Sequence, residues 1–469
     1  MPNLGTAVHR RAAAAALPMF GEISRLVVIA VDSRALCFTV ITSVLMGLLI
    51  SVVPALQFSH PDLQPHLNKA GQRGSFSSGK TRQVLMSAEV AIAVVLLLAG
   101  GLLMRSFVRL LDVKPGFKVE GLLTARISLP YTRYPDRGRR VQFLQQVLQR
   151  VSTLPGVQSA GTINRLPMTA SLFDGFLHVE GRPATEQQKH TPVPIGLVSP
   201  GYFTTMEIPL LAGRAFTDSD DSSAPRVVIL SESLAQWLFP VENPIGKRVW
   251  VPGPGKGTPT VVGVVADVRS QGLDREVKPE VYVPYLQNSM DVTTLVIRTR
   301  VDPLSLSSAV RSLIQAADSE LPLYDVSTME QRLAGSIAPH RLSMLLVGTF
   351  ALLGLLLAAM GVYGVISYLV AQRTHEIGIR VALGARSGNI VRMFLLHWLD
   401  WILIGMTAGT SVSLAGTRIM SILLFEVSPT DPATFAGCTA LLSAIALLAC
   451  YLPARRAAHT DPIRALRCE

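Results

Sequence analysis

Five stretches of this chain are long and apolar enough to leave water: about 36–56, 84–104, 342–370, 394–417 and 435–453. A helix needs roughly 20 apolar residues to cross the hydrocarbon core of a bilayer. Inside that core a backbone is satisfied only as a helix or in a closed barrel. The five stretches are therefore expected to be spanning helices. The rest of the composition agrees. Charged residues make up 16% of the 469 residues, where soluble globular chains carry about 25%. Mean hydropathy is +0.39. These numbers describe an integral membrane protein with an α-helical bundle of about five spans.

Residues 105–340, between the second and third runs, have ordinary soluble composition and are expected to form a large separate domain. The net charge of +11 could point to nucleic acid, but the basic residues cluster beside the apolar runs. Three short flanks carry them: 57–83 (Lys69, Arg73, Lys80, Arg82), 371–393 (Arg373, Arg380, Arg386, Arg392) and the tail (Arg455, Arg456, Arg464, Arg467). The loop 421–434 has Glu426 and Asp431 but no Lys or Arg. Basic loops stay in the cytoplasm, so these three flanks, the C-terminus included, are expected inside. Residues 105–340 and the 421–434 loop are expected outside a multi-pass inner-membrane protein. Residues 1–35 fit this scheme poorly, because Arg10, Arg11, Arg25 and Arg34 would lie outside with no cleavable signal to deliver them.

The large domain shows a readable order. Leu122–Leu129 alternates as a strand, residues 138–154 place Val141, Leu144, Val147, Leu148 and Val151 on one helical face, and Val157–Ile163 reads as a second strand. Strand 293–299, helix 303–317 and strand 322–327 repeat the order. Two β-α-β units around an insertion match a ferredoxin-like order. The insertion, 164–291, carries strands at 227–230, 248–251 and 261–268 and a helix at 231–239 capped by Ser231. Two α+β subdomains are expected. Cys37, Cys438, Cys450 and Cys468 show neither metal-ligand spacing nor a disulfide framework.

Gly74–Thr81, GSFSSGKT, fits the phosphate-loop pattern G-x-x-x-x-G-K-[ST]. A working phosphate loop follows a buried strand and opens a helix whose N-terminus holds the phosphate. This one follows a polar, proline-containing run and leads into a helix that belongs in lipid. The 57–83 segment is too short for a nucleotide-binding domain. The pattern is expected to be a cytoplasmic linker, and no catalytic, cofactor or metal constellation stands out elsewhere.

An internal repeat is also present. Pro54-Ala55, His60, Asp62 and Leu67 follow the first apolar run, and Pro453-Ala454, His459, Asp461 and Leu466 follow the last at the same spacings, 399 residues later. The first helix then reads as the end of one membrane unit and 84–469 as a second, complete one.

After the third run comes AQRTHEIGIRVALGA, residues 371–385. It is a short amphipathic segment of mixed charge, suited to lying along the membrane or docking on a partner protein. QRTHEIGIRVALGA resembles the E-R-x-x-E-I-G-I-R-x-A-L-G-A signature of ABC-transporter permeases of the MacB/FtsX type, departing from it at Gln372 and His375. The resemblance covers nearly all of 84–469. Ser199–Phe203 (SPGYF), Leu211–Arg214 (LAGR) and Asn243–Lys247 (NPIGK) are similar to motifs of that family's periplasmic domain. The extra leading helix is similar to duplicated acidobacterial permeases, of which this chain would hold the C-terminal part.

The resemblance implies that 372–386 is a coupling helix. Arg373, Glu376, Ile377, Gly378, Arg380, Ala382, Leu383 and Gly384 would meet a separate ABC ATPase, which would carry ATP and magnesium. It further implies a second permease unit, as a homodimer or a fused copy, and an extracytoplasmic adaptor or outer-membrane channel for export. FtsX-like control of an extracytoplasmic enzyme, and an orphan permease without an ATPase, remain as alternatives.

Other polar residues have bland readings. Glu89 lies near the cytoplasmic end of its helix and can snorkel. Asp400 and His397 are flanked by Trp398 and Trp401, which favour headgroup depth. Asp218, Asp220 and Asp221 read as a solvated turn.

Overall fold

A computed structural model describes residues 36–41, 43–44, 76–169, 174–183, 185–252, 257–288, 291–372, 387–420 and 424–458. The chain divides into two compact units, Met1–Met86 and Ser87–Glu469. In the first, residues 36–41 and 43–44 are helical and expose Leu36, Phe38, Val40, Ile41 and Val44. Most of the first apolar run, and the first copy of the repeat, lie outside the described residues.

Helix α1 (Phe76–Leu111) carries the second apolar run and ends past it. β1 (Leu122–Ser128), α2 (Arg137–Ser152) and β2 (Val157–Ile163) follow as expected. Asp136 starts α2 by accepting the Arg139 N–H at 2.8 Å. Within the insertion come β3 (Asp174–Gly175), β4 (His178–Val179), α3 (Glu186–His190), β5 (Val193–Val198), α4 (Tyr202–Met206), β6 (Leu210–Gly213), β7 (Val227–Ser231), α5 (Glu232–Leu238), β8 (Val249–Trp250), β9 (Thr260–Val265) and β10 (Val281–Pro284). β11 (Val292–Thr299), α6 (Ser307–Ala317) and β12 (Leu323–Thr328) close the domain.

Among the described residues, ten strands form one mixed sheet in the order β12-β1-β11-β2-β5-β10-β7-β9-β6, with β3 on β5. β11 runs antiparallel to both β1 and β2, and β1 antiparallel to both β11 and β12. The two β-α-β units are thus interleaved. In the insertion, β5 pairs parallel with β10 and β7 parallel with β9.

The two expected subdomains are halves of this one sheet. They join at a single ladder pair, Ile163↔Val198. Side chains extend the join: Ser199 Oγ accepts the Thr162 N–H at 2.9 Å, and the Asn164 amide accepts the Leu197 N–H at 2.7 Å and donates to the Ile195 carbonyl at 3.2 Å. On one face a shared core crosses the join, with Leu122, Val296, Ile163, Val198, Tyr282, Ile229 and Val265 under Tyr202, Phe203 and Met206. On the other face the cores are separate. Helices α2 and α6 cover Leu123, Ala125, Leu295 and Ile297, whereas α5 covers Ile195, Leu197, Val228 and Leu230.

The acidic cluster departs from the solvated turn expected of it. Asp220 is buried and forms a two-pronged ion pair with Arg214, both contacts at 2.8 Å, while accepting the Thr217 N–H. Asp218 and Asp221 behave as expected: both are exposed, and Asp221 caps a turn at Ser223. The Arg214 guanidinium holds the Asp220 carboxyl below the usual carboxylate range. A lowered folded pKa stabilises the protein above the unfolded value, about 3.9, and that stabilisation is lost as pH falls. Asp220→Asn is therefore expected to lower urea stability by about 1–2 kcal/mol at neutral pH, with the gap to wild type closing below about pH 4.

Three long helices complete the chain: α7 (Met329–Gln372), α8 (Ser387–Met420) and α9 (Pro432–Ala458). Among the described residues, Gln83–Leu111, Met329–Tyr368 and Pro432–Pro453 are long and apolar enough to span a bilayer. Helix α8 contains the fourth apolar run. Leu352, Leu353, Leu356 and Leu357 on α7, Leu403 and Ile404 on α8, and Leu447 and Leu448 on α9 are exposed. A soluble domain would bury such a surface; a bilayer covers it.

Candidate functional site

Arg373, Glu376, Ile377, Gly378, Arg380, Ala382, Leu383 and Gly384 all lie outside the described residues. The structure describes what leads to them: α7 runs unbroken from the sheet to Gln372, and α8 resumes at Ser387. Helix α7 has 44 residues, about 66 Å at 1.5 Å per residue. The hydrocarbon core is about 30 Å thick, so much of α7 stands outside it.

The upper end of α7 is fixed to the sheet. Thr328 and Gln331 form a reciprocal capping box, with N–H donors at 3.1 and 3.2 Å. Met329 is fully buried in the shared core. Glu330 accepts the Gly121 N–H, and Arg332 donates to Thr124 Oγ1 at 2.7 Å and to Asp325. The end of α1 is held likewise. The buried Arg298 guanidinium on β11 donates to the carbonyls of Thr205, Glu120 and Lys118 at 2.7, 2.9 and 3.0 Å, pinning the chain between α1 and β1. The sheet domain therefore rides on two membrane helices.

Close approach locks the bundle together. Gly405 and Gly409 on α8, one turn apart, lie against the α1 backbone at Ser87 and Ala91. Small residues at such spacing let membrane helices pack closely. Ser87 Oγ donates to the Trp401 carbonyl at 2.9 Å. Gly101 on α1 faces Thr434 and Cys438 of α9, and Gly354 on α7 faces Leu96. The Glu89 carboxylate rests against Gly361 of α7. This acid is therefore seated in the bundle on space left by a missing side chain, a contact that its depth alone did not suggest.

At the other end of α1 a polar clasp forms. Arg105 pairs with Asp431, which also accepts the Thr434 N–H at 2.9 Å and so caps α9. Arg109 donates to the Glu426 carbonyl, and Ser106 Oγ accepts the Phe425 N–H at 2.8 Å. Glu426 holds a left-handed φ of 48°, a conformation that persists only where neighbours enforce it. The hydrogen bonds to Thr434 and the Arg105 cation hold the Asp431 carboxyl below its ordinary range. From the domain side, the Arg269 guanidinium stands 5.9 Å from the centre of the Phe425 ring. The 424–431 loop thus joins α1, α9 and the sheet domain. Sequence reading named Glu426 and Asp431 only for their sign; Asp431-Pro432 ahead of an apolar run was a helix-start signal that could have shown more.

Other candidates have plain placements. Phe76–Thr81 belong to α1, so the last six residues of GSFSSGKT are helical where a phosphate loop would be open; Gly74 and Ser75 lie outside the described residues. Asp400 is exposed, and the His397 and Trp398 side chains fall outside the description. Cys37, Cys438 and Cys450 are free thiols. Among the described residues no group of His, Cys, Asp and Glu could hold a metal. The three family-like motifs shape turns: Ser199 stitches the join between the sheet halves, Arg214 holds Asp220, and Asn243 accepts the Ile245 N–H at 3.0 Å.

An α+β domain carried on helices α1 and α7, with further apolar helices following, is the architecture of a transporter permease. Residues 88–318 match the MacB-like periplasmic core domain and residues 348–462 the FtsX-like permease C-terminal domain. The chain belongs to the ABC-transporter permeases of the MacB/FtsX type. It is 29% identical over 298 residues to the uncharacterized ABC transporter permease YknZ of Bacillus subtilis (strain 168), covering 62% of this chain and 74% of that protein. It is 30% identical over 272 residues to the macrolide export ATP-binding/permease protein MacB of Marinobacter nauticus, covering 56% and 41%. The solved periplasmic region of MacB from Actinobacillus actinomycetemcomitans aligns at 19% identity over 48% of this chain and 95% of that one, with a TM-score of 0.32. The chain spans 40–63% of the length of the macrolide- and pyoverdine-export relatives it matches.

Proposed function

We propose that this chain is the membrane subunit of an ABC exporter, in which a separate ATPase reshapes the sheet domain through α7. The observation that carries this reading is the continuity of α7 from the capping box at Thr328 to Gln372, next to the coupling signature. A rigid element that runs from one site to another lets the two bias one another, provided the whole has two discrete states. Export is supported by the relatives, which include macrolide and pyoverdine exporters.

In this reading the chain holds no catalytic group, cofactor or metal, and ATP and magnesium belong to the ATPase. A second permease unit completes the transporter, and an adaptor or outer-membrane channel receives the cargo. The basic flanks place the coupling segment and the C-terminus in the cytoplasm, with the sheet domain outside. About five spans and a ferredoxin-like core complete the proposal, the latter supported by the interleaved order β12-β1-β11-β2.

Glu376→Ala with Arg380→Ala is expected to abolish co-purification of this chain with its ATPase while leaving its own elution on size exclusion unchanged. Undiminished co-purification would overturn the coupling role of 372–386.

A further inference from the structure

A cleft of about 410 Å³ opens where the membrane helices meet the sheet domain, lined by Arg109, Asp112, Val113, Lys114, Arg269 and Glu426. The spanning stretch of α1 ends at Leu111 and that of α9 begins at Pro432. The cleft therefore sits at the depth of lipid headgroups.

Its charges are mixed and largely uncommitted. The Lys114 ammonium and the Asp112 and Glu426 carboxylates make no ion pair among the described residues. Arg109 and Arg269 are held in place by carbonyls, Arg109 by Glu426 and Arg269 by Leu273 and Arg275 at 3.2 and 2.7 Å. Neither guanidinium meets a carboxylate among the described residues. The cleft thus presents three cations for an anion and two carboxylates for a cation. Beside it, Met104, Val108 and Leu111 are exposed along one stripe of α1, at the i, i+4, i+7 spacing of a single helical face.

We propose that this cleft binds the headgroup of phosphatidylethanolamine from the leaflet on the sheet-domain side. The phosphate lies among Arg109, Lys114 and Arg269, and the primary ammonium donates to Asp112 and Glu426. An acyl chain follows Met104, Val108 and Leu111 into the bilayer. Phosphatidylcholine has the same charges, but its quaternary ammonium cannot donate hydrogen bonds to carboxylates. Phosphatidylglycerol offers no cation to them at all.

The test is native mass spectrometry of the full-length protein in mild detergent, titrated separately with dioleoyl phosphatidylethanolamine, phosphatidylcholine and phosphatidylglycerol. Phosphatidylethanolamine is expected to bind about tenfold more tightly than either other lipid, the difference charge-assisted hydrogen bonds confer. Asp112→Asn should remove most of that preference and Lys114→Gln should weaken all three lipids about equally; both positions are exposed, and neither change should alter the unfolding temperature. Arg150→Gln on α2 should leave the preference intact. Equal binding of the three lipids, unchanged preference in Asp112→Asn, or unchanged affinity in Lys114→Gln overturns the proposal. Displacement of the lipid by millimolar inorganic phosphate also overturns it, and assigns the cleft to a free anion instead.

Discussion

Replacing Glu280 with leucine is expected to lower the unfolding temperature of the full-length protein by roughly 10 °C, read by thermal denaturation in detergent. Glu280 pairs with Arg165 inside the sheet domain, where the two side chains are only 5% and 6% exposed. Tyr282 donates its hydroxyl to Glu280 Oε2 at 2.7 Å, and the Glu280 N–H donates to Ser231 Oγ at 3.0 Å. Burial pushes the Tyr202 and Tyr282 hydroxyls well up, so both stay neutral beside the pair. Arg165 already has Nε and Nη1 without partners. Removing the carboxylate strands a buried cation, which costs about 3–5 kcal/mol. Arg165→Met with Glu280→Leu removes both charges and should recover most of the loss. If the double variant is as unstable as the single one, packing rather than charge governs this site.

Leucine at Gly405 and Gly409 together is expected to destroy the bundle, seen as loss of the monodisperse peak on size exclusion. A Cβ at Gly409 would sit 2.6 Å from the Ala91 carbonyl oxygen and 2.8 Å from Val94 Cβ, and one at Gly405 2.6 Å from the Ser87 carbonyl oxygen. These are largely backbone contacts, which a rotamer change cannot relieve. Overpacking costs about 1–3 kcal/mol per site, and α8 would also lose the bond from Ser87 to the Trp401 carbonyl. Gly416→Leu is the control, since nothing lies within 4 Å of a Cβ there. An intact peak from the double variant would show that α8 does not depend on this close approach.

What the sequence revealed followed the strength of each physical signal. The apolar runs were legible because the bilayer sets their length. The first and last β-α-β units were legible because helix and strand periods differ. The start of α7 was not: residues 329–341 lie beyond the apolar run that marked the helix. β5 and β10 were missed because Val193–Val198 and Val281–Pro284 are buried on both faces, so they lack the alternation that announces a half-exposed strand. The pairs Arg105–Asp431 and Arg165–Glu280 join residues 326 and 115 positions apart, and no local pattern encodes such a partner. The coupling segment was readable only as an amphipathic stretch with a family signature.

The lone ladder pair at Ile163↔Val198 has a mechanical meaning. On one face the two halves of the sheet are bonded by a common core under Tyr202 and Phe203; on the other, α2 and α6 cover one half and α5 the other. A plate glued along one side and scored along the other bends in one direction only. Torque delivered at Met329 would rotate the half that α7 holds, and the pendant half would fold about the score line, opening between the helix layers. The Asn164 and Ser199 side chains that bridge this line would set the resting angle, so substitutions there would retune the domain's posture while leaving both hydrophobic interiors untouched.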